Sequence, residues 1–177
     1  VSLGGELCMR AAAMEPRIRR VVSWSVLPSI YGALMADKPA EIRAKLEHWL
    51  DENNRDAILD LYAGLAEREP LFRWSIQHSN YAYGTSDVYE YLQKARAFTM
   101  EPVAEQITQD VLLLSAREDL LVDFGLYKQE IDLLKNTRSL EFAAPGRALN
   151  GQAHCNMGNT KYMLDLILNW NDRMLER

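Results

Sequence analysis

Two short apolar runs set about eighty residues apart constrain this 177-residue chain more than any other feature. Residues 18–26 are β-branched and apolar between Pro16 and Pro28, and residues 110–115 carry the run Val-Leu-Leu-Leu. Both read as buried strands. The stretch from Pro28 to Gln109 between them is helical in pattern. Ile42, Leu46, Trp49 and Leu50 share one face over 40–50, and Ile58, Leu59, Tyr62 and Leu65 share one over 55–66. Tyr91, Leu92, Ala95 and Phe98 do the same over 88–98. A block of that size is too large for a loop and fits an insertion between two strands.

The rest of the chain completes the pattern. A helix over 5–14 ends before Pro16, and after the second strand come a helix over 124–135, a third strand over 138–143 and a loop over 145–151. A final helix over 157–175 has Tyr162, Met163, Leu166, Ile167 and Trp170 on its inner face. Strands separated by helices favour right-handed parallel crossovers. The predicted fold class is therefore α/β, with about three parallel strands, flanking helices and a large helical insertion. The segments are 1–27, 28–109 and 110–177.

Charge and composition remove several classes of function. Twenty Lys and Arg against 25 Asp and Glu leave a net charge of −5, and the densest basic cluster is only Arg17, Arg19 and Arg20. A nucleic-acid surface needs more clustered positive charge, so no nucleic-acid partner is expected. The longest uncharged run, 21–36, is shorter than the roughly 20 residues of a membrane span and has no basic lead-in. No membrane association is expected, and the expected compartment is cytoplasmic. Cys8 and Cys155 lack any metal-ligand spacing and read as thiols in a reducing environment. Neither a metal nor another cofactor is expected.

Three loop residues could carry chemistry. Ser2-Leu3-Gly4-Gly5 matches the back half of G-x-S-x-G, in which a sharp turn into a helix exposes the serine hydroxyl. The next backbone N–H, that of Leu3, would then face a developing oxyanion. Asp119 follows the 110–115 strand, where an α/β sheet presents its ligand crevice, with Glu118 as a neighbouring competitor. His154 follows the third strand in a glycine-bounded loop, the setting a general base needs. His48 reads as a surface residue, and His78 lies in the helical block. The order Ser, Asp, His is that of the α/β-hydrolases.

The resemblance extends to longer segments. Val1-Ser-Leu-Gly-Gly-Glu-Leu-Cys-Met-Arg-Ala-Ala-Ala-Met-Glu-Pro-Arg-Ile resembles the nucleophile elbow and following helix of cap-bearing α/β-hydrolases. That branch includes proteins similar to 2,6-dihydroxypseudooxynicotine hydrolase and acylaminoacyl-peptidase-like proteins. Asp110-Val-Leu-Leu-Leu-Ser-Ala-Arg-Glu-Asp119 is similar to its acid-bearing strand and loop, and Gln152-Ala-His-Cys-Asn-Met-Gly-Asn159 to its histidine segment. The resemblance implies Ser2 as nucleophile, His154 as base and Asp119 as the orienting acid. The chain departs from the family at Glu6, where an aromatic residue is common.

The resemblance also implies strands ahead of the serine and a second oxyanion donor, and neither is found in this sequence. The expected function is a serine hydrolase acting on an ester, amide or C–C bond through an acyl-enzyme, in a chain lacking the N-terminal half of its core. Trp24, Trp74, His78, Tyr81 and Tyr83 are candidates for the wall of a pocket taking a small molecule with an apolar or aromatic acyl group. The competing expectations are a truncated, non-catalytic remnant that folds and oligomerises, and a helical interaction module. With no neighbour on one side, the 18–26 strand is expected to leave Val21, Val22, Trp24 and Val26 partly uncovered. It would then pair with a second copy or an upstream fragment.

Overall fold

Residues 20–24, 110–114 and 139–143 pair as three parallel strands in a computed structural model that describes residues 1–36 and 38–176. These are β1 (Arg20–Trp24), β2 (Asp110–Leu114) and β3 (Ser139–Ala143), in the order β1-β2-β3. Helix α1 (Leu3–Met14) precedes β1, and α2 (Ile30–Ala36) follows it. Next come α3 (Ala40–Asp51), α4 (Arg55–Arg68), α5 (Pro70–Tyr83) and α6 (Val88–Arg96). Helix α7 (Leu126–Leu133) joins β2 to β3, and α8 (Thr160–Leu175) is the last element. The fold is α/β, as the alternation of strand and helix patterns predicts.

The chain divides into two units by contact, Val1–Ala36 with Thr99–Arg177, and Asp37–Phe98. In the first, strand side chains alternate between two cores, as the period-two geometry of a strand requires. Val21, Val111 and Leu113 pack with Met9 and Ala12 of α1 and with Met100, Val103, Ile107 and Leu134. On the opposite face Trp24, Leu112 and Leu114 pack with Met163, Trp170 and Met174 of α8. All five residues of β2 are buried, so its unbroken apolar run reflects cover on both faces.

This double cover corrects one expectation. Val21, Trp24 and Val26 are buried, and only Val22 of that group is partly exposed. The open side of β1 is therefore a backbone edge and not an apolar patch. Arg19 C=O and Ser25 N–H bond toward β2, whereas Trp24 C=O faces the other way and accepts from Ser2 N–H at 2.8 Å.

The second unit buries Leu46 and Leu50 of α3, Ile58 and Tyr62 of α4, and Val88, Tyr91, Leu92 and Ala95 of α6. Asn54 accepts from Ala57 N–H and Asp87 from Glu90 N–H, capping α4 and α6. Helix α5 has no fully buried residue; Phe72, Ile76 and Tyr83 are half-buried at helical spacing, and Phe72 stacks on Tyr62. Its signals are Pro70 in the first turn and Gly84 at φ 61° after the last.

Glycine is required at Gly5. A Cβ there would lie 2.3 Å from Ser25 O and 3.0 Å from Ser23 Oγ, whereas one at Gly4 meets nothing within 4 Å. The glycine pair of the motif therefore acts through its second member, which lets α1 rest on the end of β1. Gly5→Ala is expected to destabilise the chain by about 1–3 kcal/mol, the usual scale for overpacking. Gly4→Ala should be neutral or slightly stabilising, and thermal unfolding of the two variants reads the difference.

Candidate active site

Ser2 sits at φ 55° and ψ −130°, a conformation that L-residues avoid, immediately before α1. Its N–H bond to Trp24 C=O holds it at the end of β1. The Ser2 hydroxyl is 2.9 Å from His154 Nε2. His154 Nδ1 is 2.7 Å from Asp119 Oδ2. With Nδ1–H donating to the carboxylate, Nε2 is left to accept the serine proton. Leu3 is the first residue of α1, so its N–H has no acceptor within the helix and lies at the positive end of the helix dipole.

Asp119 is almost fully buried, and His154 is about a quarter exposed. The other carboxylate oxygen of Asp119 accepts from Leu121 N–H at 2.8 Å and Val122 N–H at 3.2 Å, which fixes its orientation. Glu118 forms a paired ion contact with Arg147 on the surface. The geometry thus separates the two neighbouring acids, since only Asp119 meets the imidazole.

The histidine loop is held by a residue that the sequence reading passed over. Cys155 and Asn156 both lie at φ 52°, so the chain makes two consecutive left-handed steps after His154. Non-glycine residues in this region cost about 1–3 kcal/mol each and persist where their surroundings fix them. Asn156 is fully buried. Its amide donates to Ser115 C=O at 3.1 Å and Gly151 C=O at 2.5 Å, and its Oδ1 accepts from Trp24 Nε1 at 3.1 Å. One side chain therefore ties together the loops after β2 and β3 and the end of β1. A lone polar residue in a Gly- and Asn-rich loop gives no sequence signal for this.

Cys155 is also missed by motif reasoning. Its thiol lies against the Ser2 amide and hydroxyl, and burial pushes its pKa up. Both cysteines are free. Among the described residues, no group of three or more His, Cys, Asp or Glu side chains is placed to hold a metal ion. Likewise, no helix among them is long and apolar enough to cross a membrane.

Of the five pocket candidates, Trp24 belongs to the first unit, and Trp74, His78, Tyr81 and Tyr83 to the second. Trp24 is a core residue, clamped by Asn156 and packed among Leu112, Leu114, Met163 and Trp170, because an even-numbered β1 position faces α8. This corrects its reading as a pocket wall. In the second unit, the Trp74 and His78 rings stack at 5.1 Å, and Trp74 and Tyr81 are exposed on α5. Tyr83 packs edge-on against Tyr91 and Phe98.

Two further carboxyl groups are fully buried in the first unit. Glu130 Oε2 accepts from Leu27 N–H at 2.9 Å, while Oε1 has no hydrogen-bond partner. Glu6 has no hydrogen-bond partner on either oxygen, with Arg10 Nε 3.6 Å away. Burial raises the pKa of Glu6, and the Arg10 charge opposes the rise. Burial also pushes Glu130 up to about 8, against the pull of the Leu27 N–H and with a further push from Glu6.

No family model matches the chain, and no curated protein matches it. Among solved structures it is similar to the enol-lactonase from Burkholderia xenovorans LB400, at 19% identity and a TM-score of 0.43. The match covers 99% of this chain and 63% of that one, so the chain spans less than two thirds of the enol-lactonase.

The Glu130 carboxyl has a consequence for stability. Its folded pKa lies above the unfolded value of 4.5, so the folded state binds the extra proton between those values and stability falls as pH rises. The contribution is complete below about pH 4 and lost by about pH 8 to 9. Thermal unfolding across that window should show a declining melting temperature for the wild type and a flatter profile for Glu130→Gln.

Proposed function

We propose that this chain carries the catalytic residues of an α/β-hydrolase-type serine hydrolase. The observation that supports this reading best is the continuous Ser2–His154–Asp119 hydrogen-bond line, with distances of 2.9 and 2.7 Å. The strained Ser2 backbone and its position ahead of α1 agree with the same reading.

In this mechanism Ser2 Oγ attacks a substrate carbonyl carbon as its proton passes to His154 Nε2. Asp119 holds the Nδ1–H tautomer and stabilises the imidazolium that forms. The developing oxyanion is met by the Leu3 N–H, reinforced by the dipole of α1. Collapse of the tetrahedral intermediate expels the leaving group, which takes the proton from His154 and leaves Ser2 acylated. Water then attacks the acyl-enzyme with His154 again as base, and the acid is released. The substrate class is an ester, amide or activated C–C compound with an apolar or aromatic acyl group.

The open edge of β1 supports a second element of the proposal. Trp24 C=O faces away from β2, and Ser2 N–H already occupies it in the manner of a strand rung. A further strand alongside β1 extends that contact, supplied either by a second copy of the chain or by an upstream segment.

A fluorophosphonate probe tests the catalytic reading. The expected adduct maps to Ser2 and is lost in Ser2→Ala. His154→Ala should reduce the labelling rate about as far, because triad members act as a unit. Asp119→Asn should cost roughly 10⁴-fold, while Glu118→Gln leaves the rate near that of the wild type. Labelling that survives Ser2→Ala would contradict the assignment.

A further inference from the structure

We propose that Glu130 is a positioning residue for this site: its carboxyl group clamps the Trp24–Leu27 segment on which both Ser2 and the His154 loop are seated. The proposal rests on the serine-hydrolase reading for what is positioned, and on the Glu130–Leu27 contact for the clamp.

The segment is a junction. Trp24 C=O accepts the Ser2 N–H, and the Trp24 indole N–H donates to Asn156 in the histidine loop. Ser25 C=O is the atom against which Gly5 and the first turn of α1 rest. Both partners of the Ser2–His154 contact are thus referred to two adjacent residues. Ser25 itself lies at φ 114°, outside the comfortable range for a residue with a side chain. Strained backbone of this kind reverts unless both its flanks are held.

On one flank, Ser25 N–H bonds Leu114 C=O within the sheet. On the other, Leu27 N–H bonds Glu130 Oε2 of α7, 103 residues away in the chain. Glu130 is fully buried, and Oε1 has no hydrogen-bond partner. Burial without a partner costs a neutral carboxyl much less than it costs a carboxylate. The titratable groups facing it are Glu6 and Cys8 of α1, with Arg10 beside Glu6, and the Trp24–Leu27 segment contributes none. Burial and the Glu6 charge favour the protonated carboxyl, while the Leu27 N–H favours the ionised one. Loss of the proton therefore changes the charge on the group that accepts from Leu27, at the base of the strained turn beneath Ser2.

Amide and indole resonances of the 177-residue chain, followed by NMR from about pH 6 to 10, test the clamp without requiring turnover. The Leu27 amide and the Trp24 indole N–H should shift together with a midpoint near 8. Glu130→Gln keeps an acceptor for Leu27 and removes the proton, so the joint transition should vanish. Glu6→Gln removes a neighbouring acid and should move the midpoint down, which keeps the test available if Glu130→Gln fails to fold. Silent Leu27 and Trp24 signals in the wild type, or the same transition in Glu130→Gln, would overturn the proposal. Fluorophosphonate labelling separates the two layers. If the site is a hydrolase, the wild-type rate should change severalfold across the transition and show no such step in Glu130→Gln. If neither protein is labelled at any pH, the hydrolase reading fails while the NMR result still decides the clamp.

Discussion

The in-register parallel pairing of three strands is the constraint from which the rest of the site follows. Trp24, Leu114 and Ala143 stand side by side at the strand ends, so the chain leaving each strand emerges at one edge of the sheet. Asp119 lies five residues past the end of β2, and His154 eleven past the end of β3. Ser2 reaches the same edge through its N–H bond to Trp24. Parallel strands require crossovers, and here the crossovers supply the helices that bury both sheet faces. A one-residue slip in either ladder would turn the alternating core positions outward and separate the candidate residues together.

The site is held in an unfavourable backbone state by polar contacts made in the core. Ser2, Ser25, Cys155 and Asn156 all have positive φ, and all four flank the meeting point of serine and histidine. Asn156 offsets part of this cost through three hydrogen bonds to the loops that it joins. Glu130 does so from the opposite side, through Leu27. Buried polar groups of this kind hold geometry well when satisfied and are costly when they lose a partner. Strained backbone and buried polar side chains therefore occur together around the Ser2–His154 contact.

Much of this was legible from residue order. The run at Val111–Leu114 identifies β2 because only a strand covered on both faces is apolar without interruption. The chain order Ser, Asp, His and the loop setting of each residue point to the contacts found at Ser2, Asp119 and His154. Choosing between Glu118 and Asp119 needs three dimensions, since the decision turns on Arg147 capturing Glu118. Trp24 was misread because an aromatic residue near a candidate site looks the same in sequence whether it lines a cleft or fills a core. The burial of Glu130 was written in the helical period, where it falls one turn from Leu126 and one from Leu134 on the buried stripe. Its bond to Leu27 was not, because nothing in a sequence pairs a helix residue with a backbone N–H 103 positions earlier.

The central claim is that this chain by itself assembles serine, histidine and aspartate into one hydrogen-bonded line. The most direct measurement is the proton NMR signal of the His154 Nδ1–H. A ring N–H donating at 2.7 Å to a buried carboxylate gives a strongly downfield, slowly exchanging resonance. The account predicts one such signal, absent in His154→Ala and Asp119→Asn and retained in Glu118→Gln. A folded chain without that resonance, or one whose resonance survives Asp119→Asn, would contradict it.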